Sequence, residues 1–114
     1  MHVEIRCKDL PAAQTLRVHL ERRLRFALGR FDNRIDRVSV RLADVNGPRG
    51  GTDKRCHISL VLVRGGKVVL EEQNADVVAA IDRAADRLGH AVARRLHRTL
   101  DIRSAVYVGS GGAI

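Results

Sequence analysis

Arg83, Arg87, His90, Arg94, His97 and Arg98 follow one another at intervals of four, three, four, three and one residues. On a helix, side chains three and four apart share a face, so this spacing builds one basic ridge about four turns long. The guanidinium group is planar, always charged and able to grip a phosphate with two parallel hydrogen bonds. A ridge of such groups can follow a phosphate backbone. Between Arg83 and Arg98 the one acidic residue is Asp86, whereas a merely solvated helix face usually mixes both signs. A weaker set comprises Arg17, Arg22, Arg23, Arg25 and Arg30, with Glu21 as its lone acid. Arg6, Arg37, Arg41, Arg55, His57 and Lys67 form a third basic group. The ridge is longer and less interrupted by acids, and it is the favoured binding surface.

Other chemistries find little support. Cys7 and Cys56 stand in no CxxC or metal-type spacing, and each reads as a small buried apolar side chain. The Gly47–Gly51 stretch (GPRGG) lacks the GK[ST] ending and following helix of a phosphate-cradling loop. No Ser-His-Asp set and no paired carboxylates are recognisable, so the chain reads as a non-enzyme without cofactor or metal. Phe26, Phe31 and Tyr107 are the aromatic residues. Phe31 falls on an apolar stripe, while Phe26 and Val18 fall off it, either to pack on a partner or as tolerated surface residues. Binding led by phosphates and RNA shape follows, with little base readout.

The elements that position these residues are legible as periodicities. Residues 2–7 (HVEIRC) alternate, with Val3, Ile5 and Cys7 on one face, as a half-buried strand does. Residues 12–31 are helical, because Leu16, Leu20, Leu24, Ala27, Leu28 and Phe31 fall in one stripe of about 120°. Gly29 and Asp32–Asn33 end that helix. Residues 35–44 alternate around Val38, Val40 and Leu42, and 54–63 around Cys56, Ile58, Leu60 and Leu62. Val45–Asp53 between them is a loop by its turn residues. Arg64–Gly65–Gly66 is a tight hairpin turn, and Lys67–Glu72 is a fourth strand. A second helix begins at Asn74 or Ala75 and runs to about Arg98, with Val77, Ile81, Ala84, Leu88, Val92 and Leu96 as its core stripe. Asp76 suits the positive end of its dipole. The tail 99–114 is expected to be mobile and contains a short β-like run, Ala105–Val108.

The order βαβββα implies an α+β two-layer sandwich: a four-stranded mixed sheet with both helices on its one apolar face. The first helix links two parallel strands, and a right-handed crossover is expected. The domain spans 1–98. The whole chain of 114 residues carries 21 Lys+Arg against 13 Asp+Glu, a net charge of +8. That field attracts polyanions. No apolar run approaches a membrane span, and charges interrupt the N-terminal MHVEIRCKDL where a leader would be apolar. A cytoplasmic protein with reduced thiols is expected.

The chain resembles the ribosome hibernation promoting factor and ribosome-associated inhibitor family, in its short form. The likeness covers roughly residues 2–98. One stretch that carries it is Leu24–Leu42, above all Arg30-Phe31-Asp32 and Val38-Ser39-Val40. The other is Asp76-Val77-Val78-Ala79-Ala80-Ile81-Asp82, followed by Asp86-Arg87-Leu88. The resemblance implies a fold shaped like double-stranded RNA-binding domains. It also implies docking on the 16S rRNA of the 30S subunit in the decoding region, blocking messenger and transfer RNA. By position, Arg22, Arg25, Arg83, Arg87 and Arg94 look like rRNA contacts; the ridge adds His90 and Arg98. The sequence departs from the family at Val78, where an aromatic residue is usual, at Gly89 and Ala93, often polar or basic, and in the long loop Val45–Asp53. The family's separate dimerisation domain has no counterpart in these residues.

A rival reading is a small ferredoxin-like ligand-binding or dimerisation domain. That fold ends βαβ, so the rival needs Ala105–Val108 to pair as a strand. If phosphates lead binding, affinity for ribosomal RNA falls steeply with salt. For about five phosphate contacts the log–log slope is expected on the order of −3 to −5. A titration flat between low and physiological salt would refute charge as the driver.

Overall fold

The computed structural model describes residues 1–45 and 53–111, with side chains described through His97. The elements are β1 (His2–Lys8), α1 (Ala13–Leu28), a 3-10 segment (Gly29–Arg34), β2 (Ile35–Asp44), β3 (Lys54–Leu62), β4 (Lys67–Asn74) and α2 (Val77–Gly111). The order is βαβββα, the expected α+β arrangement. The sheet runs β1-β2-β3-β4. β1 lies parallel to β2, with Ile5 opposite Val40. The β2–β3 and β3–β4 pairs are antiparallel.

Alternation decides which face is buried. Val38, Val40, Leu42, Cys56, Ile58, Leu60, Leu62 and Leu70 are buried on the inner face, under Leu16, Leu20, Leu24 and Leu28 of α1 and Ala80, Ile81, Ala84, Leu88, Val92 and Leu96 of α2. Each large aliphatic side chain so buried contributes roughly 1.5–3 kcal/mol. No aromatic residue is fully buried among the described residues. Phe31, in the 3-10 segment, packs half-buried against the core.

Local chemistry sets the ends. Asp76 caps α2, its carboxylate accepting from the Val78 amide at 3.0 Å, while Asn74 accepts from the Asp76 amide at 2.9 Å. These bonds satisfy amides that a helix start leaves open. They place the start at Val77 rather than at Asn74 or Ala75, and β4 extends to Asn74. The hairpin turns through Gly65 and Gly66, with φ of +81° and +98°, angles that side chains disfavour. α1 gives way to a 3-10 turn at Gly29, so the expected helix over 12–31 is shorter by a turn.

Two expectations at the C-terminus are corrected. α2 continues through Gly111 instead of ending near Arg98, and Ala105–Val108 is helical rather than β-like. The alanine and aliphatic content of the segment supports either state, and helix continuation prevails over the short alternating pattern. The ferredoxin-like rival thereby loses the strand it required. Residues 46–52, which hold most of the Val45–Asp53 loop and the GPRGG stretch, and residues 112–114 lie outside the described residues.

The two helices meet at small residues. A Cβ on Gly89 would stand 3.2 Å from the Ala27 carbonyl oxygen and 3.4 Å from the Ala27 Cβ. Glycine at position 89 therefore has a packing reason: a Cβ there would oblige α1 to give slightly, and a larger side chain would push it away. Replacing Gly89 with Leu is expected to cost about 1–3 kcal/mol through overpacking. Gly89→Ala should change stability by less than about 1 kcal/mol, because gained helix propensity of similar size offsets the tight contact. Urea denaturation midpoints check both, and equal midpoints for Gly89→Leu and wild type would refute the close crossing.

Candidate nucleic-acid interface

The core stripes turn the opposite faces of both helices outward. Arg22 and Arg25 on α1 and Arg83, Arg87, His90 and Arg94 on α2 are all exposed. Arg98 lies on α2, but its side chain is outside the described residues. α1 and α2 pack side by side, so the two basic sets share one layer of the molecule.

The acids nearest this layer are largely consumed. Arg23 of α1 reaches across to α2, with Nη2 2.7 Å from Asp86 Oδ1 and Nε 3.2 Å from Asp82 Oδ1. His19 Nε2 also lies 2.8 Å from Asp82 Oδ1. Asp86, the one acid within the ridge, thus faces the helix seam and is matched by an arginine from the other helix. Glu21 accepts from Arg25 at 2.9 Å. Arg87 reaches the other way, donating to Glu72 at 2.6 Å and to the Glu71 carbonyl at 3.1 Å. Exposed pairs of this kind are worth about 0–1 kcal/mol, so a phosphate can displace them.

The seven sequence candidates therefore divide. Arg22, Arg83, His90 and Arg94 are exposed and have no acidic partner among the described residues. Arg25 and Arg87 are exposed but engaged. Arg87, His90 and Arg94 line one shallow groove beside β4 with Val68, Val69 and Leu70. His90 also borders a second groove between the helices, with Phe26, Ala27, Arg30, Asp86 and Gly89. Sequence reasoning missed the role of Arg23, whose place on the seam depends on helix packing that periodicity alone does not give.

The outer sheet face is more mixed. Register places Arg6 beside Arg41, Arg41 beside His57 and His57 beside Glu71. Glu71 sits 3.5 Å from Arg55, and Glu4 3.8 Å from His2. Arg6, Arg37 and Arg41 are exposed there.

The cysteines behave as core residues. Burial pushes the Cys56 thiol up to about 12, with the charges of Glu72 and Cys7 adding to the effect. Burial also raises Cys7, against the pull of Arg17. Neither thiol is a ready nucleophile at neutral pH, because the thiolate is the reactive form. Among the described residues no cluster of three His, Cys, Asp or Glu side chains could hold a metal. No helix among them is long and apolar enough to cross a membrane.

Residues 3–99 match the family described as sigma 54 modulation protein / S30EA ribosomal protein. Among solved structures, the N-terminal domain of Thermus thermophilus Protein Y superposes with a TM-score of 0.67 at 30% identity, over 82% of this chain and 98% of that one. A ribosomal subunit interface protein from Coxiella burnetii superposes with a TM-score of 0.70 at 14% identity, over 85% and 99%. At that identity the second likeness concerns the fold alone. No curated protein sequence matches the chain.

The helical and sheet surfaces can be separated by two matched triple variants. Arg83, Arg87 and Arg94 changed to Gln remove two unpaired arginines and one engaged with Glu72. Arg37, Arg41 and Arg55 changed to Gln remove two unpaired arginines and one engaged with Glu71. Net charge falls equally, so any difference reports position. If the helices lead, the first variant loses at least ~10-fold more affinity for 30S subunits in filter binding, since charge-assisted bonds are about twice as strong as neutral ones. Circular dichroism melts control for folding. A greater loss in the second variant would move the interface to the sheet.

Proposed function

Because the chain belongs to the sigma 54 modulation protein / S30EA ribosomal protein family, the ribosome-associated family of hibernation factors, we propose that it acts as a non-enzymatic translation inhibitor on the small subunit. Its helical layer docks on 16S rRNA in the decoding region and denies messenger and transfer RNA their sites. The observation that carries this reading is the pair of adjacent helices whose exposed arginines outnumber the acids left to neutralise them. Arg22, Arg83, His90 and Arg94 meet phosphates directly. Arg25, Arg87 and Arg98 join them, the first two by exchanging a carboxylate for a phosphate.

On this reading the ribosome-binding unit is residues 1–98; the family match covers residues 3–99. Beyond it α2 continues through Gly111. A protein that acts on ribosomes in this way works in the cytoplasm. It requires no cofactor, because occlusion by a rigid, charged body involves no bond making.

Sedimentation of stationary-phase lysate through a sucrose gradient, with immunodetection of the protein, tests the reading. The protein is expected with 30S and 70S particles and should shift to the top of the gradient when salt is raised. Recovery only at the top at low salt would overturn the proposal.

A further inference from the structure

Phe26 is 83% exposed, the most exposed large apolar side chain among the described residues. It stands one helical turn from Arg22 and one from Arg30, with Arg23 and Arg25 nearby in sequence. Its ring edges the groove between α1 and α2, of about 300 Å³, whose other lining residues are Ala27, Arg30, Asp86, Gly89 and His90. Gly89 and Ala27 contribute almost no side chain, so space remains above the crossing. Arg30 is held in place by its own contact, with its guanidinium carbon 4.6 Å from the centre of the Phe31 ring.

We propose that Phe26 is a stacking platform: one unpaired nucleotide of the bound RNA places its base in this groove against the Phe26 ring. The inference deepens the RNA-binding reading above and rests on it. A π-face stacks on any base, and the collar of arginines supplies the phosphate contacts that bring a nucleotide there. Arg22 has no acidic partner among the described residues, and Arg30 lines the same groove as the ring. Asp86 keeps one carboxylate oxygen beyond the one that meets Arg23. A carboxylate accepts but does not donate, so it selects a base edge carrying an amino group, as in adenine, cytosine or guanine. A protein partner fits the same place poorly. A protein contact would call for a continuous apolar patch, and the residues around Phe26 are cationic.

The test uses the full protein and purified 30S subunits. Phe26→Ala is expected to weaken filter binding about 5- to 150-fold, the equivalent of one lost base stack, Phe26→Leu at least about 5-fold, and Phe26→Tyr should stay within about 3-fold of wild type. The salt slope should not change, because no phosphate contact is lost. Ultraviolet crosslinking should leave a nucleotide on the tryptic peptide Phe26–Arg30. Thermal melts of the variants should match wild type, since so exposed a ring buries little. Wild-type affinity in Phe26→Leu overturns the stacking proposal, whether the ring contacts protein through apolar area or contacts nothing. Absence of the crosslinked peptide does the same. If wild type itself fails to bind 30S subunits, the RNA-binding reading falls and the stacking proposal falls with it.

Discussion

Two helices that each carry an excess of arginine lie directly against one another, and the Arg23–Asp82–Asp86 contact makes that arrangement tolerable. Arg23 lies on the seam, bracketed by two carboxylates one turn apart on α2. Like charges at close range destabilise; here the positive charge nearest the partner helix is matched, and the unmatched ones are displaced outward. The Ala27–Gly89 crossing adds a steric condition, since only small residues permit the approach. Charge pairing at the seam and a lack of side chains at the crossing together produce a single broad cationic layer instead of two separated ridges.

Beneath that layer the sheet acts as a rigid base. Its inner face is closed by aliphatic side chains from every strand, and interiors of this kind pack as densely as organic crystals. On the proposed function, a surface that meets folded RNA by shape gains from such a base, because little ordering remains to be paid on association.

Much of this was legible in the sequence. The inward residues of the strands, the core stripes of the helices and the outward ridge all follow from periods of two and 3.6. The antiparallel meander followed from Gly65–Gly66 and the strand spacing. What escaped was tertiary. Asp86 reads in sequence as the one flaw in the ridge; only the packing of α1 shows that it faces the seam. Arg25 and Arg87 look equivalent to Arg83 until Glu21 and Glu72 are found beside them. The length of α2 escaped for a different reason. Ala105–Val108 suits strand or helix over four residues, and a stretch that short does not discriminate.

The arginines also act on the sheet's rims. β1 and β4 are the outermost strands, and outermost strands offer unpaired backbone groups on which a foreign strand can grow. Arg17 from α1 donates to the Ile5 carbonyl of β1 at 2.8 Å, and Arg87 from α2 donates to the Glu71 carbonyl of β4 at 3.1 Å. Each overlying helix thus lowers a charged stopper onto the rim below it. A guanidinium occupying that acceptor interrupts the hydrogen-bond ladder along which strand-to-strand aggregation spreads, so the residue type proposed to meet a polyanion also guards each edge of the sheet.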